Sequence, residues 1–201
     1  MNRGRLFLIS GPSGSGKDTV LKGVFKKCPE IGFSISSITR PMRDGEIEGV
    51  KYNFISTEKF EDMIKNDELL EHNVYVGNYY GTPKAPVEKC LGEGRDMIVE
   101  VDVNGARQIR EKVKDAVSIF IMPPSLSVLK ERLSGRGTEN EEAVNERITE
   151  ALREIAVASD YDYIVVNDIL EDAVNNVIGI IKADRFKTDR QSKLINDVLN
   201  N

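Results

Sequence analysis

The chain has 201 residues, of which 40 % are hydrophobic and 30 % charged, as expected for a globular protein with a real core. Its net charge of −5 argues against broad binding to nucleic acid or to an anionic membrane, while leaving room for a local basic pocket. His72 is the only histidine and the two cysteines, Cys28 and Cys90, lie far apart, which argues against a histidine-based triad, a multi-histidine metal site or a cysteine metal cluster. The cysteines read as inert or buried thiols of a reducing compartment. The opening "MNRGRLFLIS" holds only four apolar residues together and no cleavage signal, and "AVSIFIM" is far too short to span a bilayer. The expected location is the cytoplasm.

In chain order, "RLFLIS" is a short apolar run that ends in a glycine-rich turn, the pattern of a buried strand. A helix follows from Lys17 to about Lys27, with Val20, Leu21, Val24 and Phe25 on one face. Residues 33 to 84 are rich in Ser, Thr, Tyr and turns, with a helical piece at "TEKFEDMIKND", and read as a small mixed lobe inserted into the core. "DMIVEV" and "AVSIFI" are two further buried-strand candidates, with a helix, "VNGARQIREKV", between them. Residues 125 to 159 are helical and charged, broken by Gly135 and Gly137, with Thr138 and Glu141 spaced as a capping box. "YIVVN" is a fourth strand, and "LEDAVNNVIGIIKADR" sets Leu170, Val174, Val177, Ile178 and Ile181 at helical period. The tail after about Phe186 is polar apart from "LINDVL". Strands alternating with helices predict an α/β fold with a mainly parallel sheet covered by helices.

The stretch "GPSGSGKDTV", Gly11 to Val20, fits the phosphate-binding pattern G-x-x-x-x-G-K. Glycines at 11, 14 and 16 let backbone N–H groups approach phosphate oxygens, and the helix behind adds its positive end. Lys17 can reach the outer phosphates. The position after the lysine is Asp18, where Ser or Thr is usual, and Thr19 follows. Arginines gather in the two irregular regions: Arg40 and Arg43 in "TRPMRDGE", then Arg132, Arg136 and Arg147. Either group could be a solvated surface, but guanidinium groups also grip phosphate with paired hydrogen bonds.

With "SGPSGSGKDT", "SSITRPMRDGEIEGVKYNF", "NVYVGNYYGTP", "IVEVDVNGA", "IFIMPPS", "ERLSGRGTE" and "VVNDI" in order, the chain resembles the guanylate kinases over about Leu6 to Ile181. The resemblance implies a P-loop kinase of one domain, 1–186, with a core at about 1–32, 85–124 and 160–186, a GMP-binding lobe at about 33–84, a lid at about 125–159 and a polar tail at 187–201. It implies that Gly11, Pro12, Ser13, Gly14, Ser15, Gly16, Lys17, Asp18 and Thr19 hold ATP phosphates and that Asn167 lies beside adenine. Arg40, Arg43, Tyr52 and Tyr80 would hold the GMP phosphate, and Ser36, Glu71, Thr82 and Glu100 would surround guanine. Lys17, Arg40, Arg132, Arg136 and Arg147 would offset charge during transfer. Mg²⁺ is the implied cofactor, with Asp18 and Asp102 reaching it through water. ATP and GMP or dGMP are the expected partners, with no nucleic acid or membrane, in a monomer or homodimer.

The residues support such roles. Guanine presents two adjacent donors, N1–H and N2–H₂, and one carboxylate can accept both, whereas adenine would set an acceptor against it. Negative charge at Asp18 is favoured in a helix's first turn, and it could hold a water of the metal. Two rival readings stay open: a kinase for a phosphorylated sugar on this scaffold, and a catalytically inactive GMP- or protein-binding module.

Overall fold

The computed structural model describes residues 3–134 and 141–200. Gly135, Arg136, Gly137 and Thr138, named above for the lid and its capping box, therefore lie outside the described residues. In chain order the elements are β1 (Leu6–Ser10), α1 (Lys17–Lys27), β2 (Gly32–Phe33), β3 (Ser36–Ile38), β4 (Tyr52–Phe54), α2 (Thr57–Lys65), β5 (Leu69–Tyr75), β6 (Asn78–Pro83) and α3 (Lys84–Gly92). There follow β7 (Met97–Glu100), α4 (Val103–Lys112), β8 (Val117–Met122), α5 (Leu126–Ser134), α6 (Glu141–Ala156), β9 (Tyr163–Val166), α7 (Leu170–Asp184) and α8 (Ser192–Leu199). The chain divides into two compact units, which within the described residues comprise 3–10 with 31–118, and 11–30 with 119–200.

The first unit contains two sheets. Strands β2, β7 and β1 run parallel, with Leu6 opposite Met97 and Ile9 opposite Glu100. Their side chains are buried almost throughout (Leu6, Phe7, Leu8, Ile9, Ile98 and Val99), as continuous apolar runs of a parallel sheet require. At the carboxyl end the Val101 N–H donates to the Ile9 carbonyl at 3.1 Å, and the Ser10 hydroxyl donates to the Val101 carbonyl at 2.9 Å. The chain then turns into α4, whose N-terminus Asp102 caps by accepting from the Gly105 N–H at 2.7 Å. The second sheet has the order β4-β3-β6-β5, with β3–β4 parallel and the other pairs antiparallel. Ser56 caps α2, and Phe60 from this helix is fully buried and stacked on Tyr79 at 5.1 Å between ring centroids. The strands and the helix of this second sheet fall within residues 33 to 84, the stretch read above as a mixed lobe.

The second unit holds the glycine loop, α1, the parallel pair β8–β9 and the helices α5 to α8. Helix α1 buries Val20, Leu21 and Val24, with Phe25 half-buried. It lies so close to α7 that a Cβ on Gly23 would come within 2.5 Å of Val174 Cγ2. Lys27 reaches across to Glu171 and to Asn175, the latter at 2.9 Å. Leu129, Leu133 and Ala151, with Ile148 and Ile155 against them, join α5 to α6. In α7, Val174, Val177, Ile178 and Ile181 are buried as the period predicts, whereas Leu170 is 42 % exposed. It occupies the first position of the helix, where the apolar face has only begun. The tail ends in α8, none of whose residues is buried. Cys28 and Cys90 are free, buried thiols. No helix among the described residues is long and apolar enough to cross a membrane.

Candidate active site

The glycine loop takes its shape from backbone angles that only glycine adopts cheaply. Gly11, Gly14 and Gly16 have φ of 146°, 84° and 84°. Space excludes a side chain as well: a Cβ would lie 2.2 Å from the Ile121 carbonyl oxygen at Gly11 and 2.4 Å from Asn167 Nδ2 at Gly16. Gly16 is the N-cap of α1, so Lys17, Asp18 and Thr19 form its first turn, where the N-terminal amides favour anions.

Side-chain donors then hold the loop's carbonyls. Lys17 Nζ donates to the carbonyls of Gly11 at 2.5 Å and Pro12 at 3.3 Å. Asn167 Nδ2 donates to the Ser15 carbonyl at 2.8 Å. Arg132 donates to the Asn167 carbonyl at 3.1 Å and, at the long limit of 3.5 Å, to Ser15 O. Arg147 donates to Ser13 Oγ at 2.9 Å. Lys17, Arg132, Arg147 and Asn167, distant in sequence, therefore meet on one loop. Asn167, expected beside adenine, is 6 % exposed and braces the loop through its amide. Asp18 and Thr19 are exposed. The Ser15 hydroxyl is buried and makes no hydrogen bond.

The mixed lobe is built differently, from charged side chains in pairs. Arg40, 9 % exposed, makes a fork-to-fork ion pair with Glu46 at 2.7 and 2.6 Å. The guanidinium lies over Tyr52 at 5.4 Å and Phe54 at 5.6 Å, and Tyr80 bonds to it as well. The Arg43 N–H donates to Glu46 at 2.8 Å, so one carboxylate orders both halves of "TRPMRDGE". Bonding to Arg40, then to the Arg43 backbone, pushes the Glu46 carboxyl down to about 2. Ser36 sits opposite Tyr52 in the parallel β3–β4 pair, and Glu100 pairs with Lys51 at 3.1 Å.

Deeper in the lobe, Glu71 is 6 % exposed and accepts from Thr82 Oγ1 at 2.6 Å. Burial, with a smaller push from the charge of Asp102, raises the Glu71 carboxyl to about 7 in spite of that bond. Asp102 accepts from Gly105 N through Oδ1 and from Asn73 Nδ2, at 2.9 Å, through Oδ2. The first unit thus brings Arg40, Tyr52 and Tyr80 together at one point, and Glu71, Thr82 and Asp102 at another. Sequence reading missed Glu46, Lys51 and Asn73. Glu46 left a signal, since it follows Arg40 by six positions across a turn at Gly45, which has φ of 82°.

A strand, a glycine loop and a helix with a lysine and arginines drawn onto the loop define a P-loop phosphotransferase. The family profile described as guanylate kinase matches residues 3–184. A guanylate kinase of Carboxydothermus hydrogenoformans is 47 % identical over 190 residues, 94 % of this chain and 93 % of that one. One of Lactobacillus johnsonii is 45 % identical over 200 residues, 99 % and 97 % of the two chains. The solved guanylate kinase from Anaplasma phagocytophilum superposes with a TM-score of 0.80 at 31 % identity, over 98 % of this chain and 94 % of that chain. The chain belongs to the guanylate kinase family.

Proposed function

We propose that this chain transfers the γ-phosphoryl group of ATP to GMP, giving ADP and GDP. The observation that carries this reading is Glu71, a buried carboxylate held by Thr82 inside a lobe that also presents Arg40. As a carboxylate it accepts both N1–H and N2–H₂ of guanine. An adenine would leave its own N1 facing that charge unpaired, which costs about 1–3 kcal/mol or more. A phosphorylated-sugar acceptor gives this buried pair no use, and a catalytically inactive module has no need of the Lys17 and Arg147 cations drawn onto the glycine loop. The net charge of −5 supports small-molecule partners, rather than nucleic acid or membrane, for a cytoplasmic monomer or homodimer.

In the reaction, a GMP phosphate oxygen attacks the γ-phosphorus in line, the bond to the ADP oxygen breaks, and ADP leaves. The nucleophile is already anionic, so positioning and charge stabilisation are the main tasks. Arg40, released in part from Glu46, and Tyr52 and Tyr80 orient the acceptor phosphate. Lys17 turns from the loop carbonyls to the transferring group, while Arg132, Arg136 and Arg147 offset its equatorial charge. Mg²⁺, when bound, neutralises charge on the β- and γ-phosphates. A hard cation takes oxygen ligands and keeps several waters, and Asp18 and Thr19 in the first turn of α1 fit that need. Asp102 fits it less well, because both of its oxygens are engaged; it is better read with Glu71 at the base end. Among the described residues no cluster of three acidic, histidine or cysteine side chains could hold a metal unaided, which fits an ion carried largely by phosphates and water.

The test is ADP release with ATP and Mg²⁺ and a panel of acceptors: GMP, dGMP, AMP, UMP and a phosphorylated sugar. Rapid turnover with GMP and dGMP and little with AMP is expected. Turnover with the sugar phosphate, or GMP binding without turnover in a folded protein, would overturn the reading.

A further inference from the structure

Strand β5 is an edge of the mixed sheet, so the backbone groups on its outer side lack a strand partner. Helix α4 supplies one. Gln108 accepts from the His72 N–H at 3.2 Å through Oε1 and donates to the His72 carbonyl at 3.0 Å through Nε2. One carboxamide thus does what a neighbouring strand would do. Two further rungs flank it: Asp102 with Asn73 at 2.9 Å, and Lys112 Nζ with the Leu69 carbonyl at 3.0 Å. The helix runs 102→108→112 as the strand runs 73→72→69, so the two are locked antiparallel.

Glu71 lies inside this lock, next to His72. Its side chain fits because position 105, on the same helical face as 102, 108 and 112, is glycine: a Cβ there would stand 3.0 Å from Glu71 Oε2. The strand also carries a register irregularity between Leu69 and Glu71, a place where β5 could slide or twist unless held. Nothing in the phosphate chemistry uses Gln108.

We infer that Gln108 is a positioning residue for base recognition, which fixes the free edge of β5 at His72 and so sets the Glu71 carboxylate against guanine. The inference rests on the reading of Glu71 as the guanine acceptor. Gln108 touches no substrate; it acts through the strand. A loose β5 would leave Glu71 present but misplaced, and misplacement at a recognition group weakens binding without altering the groups that act on phosphate.

The test compares wild type, Gln108→Met, Gln108→Glu and Glu71→Gln by steady-state kinetics with ATP and GMP, alongside amide hydrogen exchange at His72. Methionine keeps length and helix propensity but cannot bond. Gln108→Met is expected to raise KM for GMP about 5- to 50-fold, from the loss of two hydrogen bonds. KM for ATP and kcat at saturating GMP should stay within about twofold, and the His72 amide should exchange faster. Gln108→Glu can still accept from the His72 N–H but sets an acceptor oxygen against its carbonyl, so KM for GMP should rise at least as far as in Gln108→Met; if the methionine variant fails to fold, the glutamate variant carries the same comparison. Faster exchange at His72 with KM for GMP unchanged would overturn the inference while Glu71→Gln still raises that KM. Equal loss for ATP and GMP would overturn it too, as mere loosening of the fold. If Glu71→Gln leaves KM for GMP unchanged, the base-pocket reading itself falls, and the inference with it.

Discussion

On the proposed reading, the glycine loop and the mixed lobe solve one problem, holding an anionic nucleotide, by different means. The loop is made of backbone. Its glycines set the path, and Lys17 and Asn167 hold its carbonyls, with Arg132 bonded to Asn167 behind them. The lobe is made of side chains paired with side chains: Arg40 with Glu46, Lys51 with Glu100, Thr82 with Glu71. A backbone cradle recognises any polyphosphate and needs no information about the base. A buried carboxylate recognises one edge of one base. On that reading generality resides in the loop and selectivity in the lobe, and substitutions in the two should fail in different ways.

The largest effects are expected in the loop unit and should fall on kcat. On the proposed mechanism Arg147→Ala and Lys17→Ala each remove a cation from the transferring phosphoryl group, and each should lower kcat by about 10²–10³-fold, with circular dichroism unchanged. Near-normal turnover in Arg147→Ala would remove that residue from the mechanism. The same contrast can be drawn with glycines. Gly16→Ala meets both a φ of 84° and Asn167 Nδ2 at 2.4 Å, so it should abolish ATP binding as well as destabilise the fold. Gly45→Ala in the lobe has φ of 82° and nothing within 4 Å of a Cβ. It should cost only the backbone strain, about 1–2 kcal/mol in thermal or denaturant unfolding.

In the lobe, Glu71→Gln should act on KM for GMP, by about 10–100-fold, with KM for ATP little changed. It also has a pH signature. Burial raises the Glu71 carboxyl to about 7, above its ordinary value, so the neutral form is favoured by folding. That contribution to stability is complete below the ordinary carboxyl range and is lost as pH rises towards 7. On the proposed reading, guanine binding uses the charged form, so KM for GMP should fall as pH rises through about 7. The phosphate of GMP titrates near pH 6; the Glu71→Gln variant keeps that titration and loses the Glu71 part. An identical pH profile in both proteins would refute the assignment.

This contrast also explains what could be read from the residues in order. The loop is local: Gly11 to Thr19 carry their geometry in one stretch, and β1 and α1 appear where the apolar pattern sets them. The parallel strands β7, β8 and β9 are legible as apolar runs for the same reason. The lobe's pairs are distant. Glu71 meets Thr82 across a hairpin, Asp102 meets Asn73 from the next parallel strand's end, and nothing in "ELLEHN" alone distinguishes a buried carboxylate from an exposed one. Arg40 stands out through the clustering of arginines, whereas Glu71 and Tyr52 are legible only through the ordered motifs that resemble guanylate kinases. Their partners Glu46 and Lys51, and the bracing of the loop by Asn167, became visible only once side chains had neighbours.

The smallest expected effect lies in the loop unit, at Asp18. The residue is exposed, in the first turn of α1, where the helix end favours its charge. The loop's own shape comes from the glycines and from the donors on its carbonyls. Asp18 should therefore tune the metal without building the nucleotide site. Asp18→Ser restores the residue type common in such loops and is expected to retain kcat within a few-fold, about 1 kcal/mol or less, while shifting the Mg²⁺ concentration for half-maximal rate. A titration of rate against Mg²⁺ at fixed ATP checks it. A folded but inactive Asp18→Ser protein would show that the carboxylate does more than hold a water. It would also show that the loop unit depends on a specific side chain much as the lobe depends on Glu71, and the division between a general cradle and a selective pocket would no longer hold.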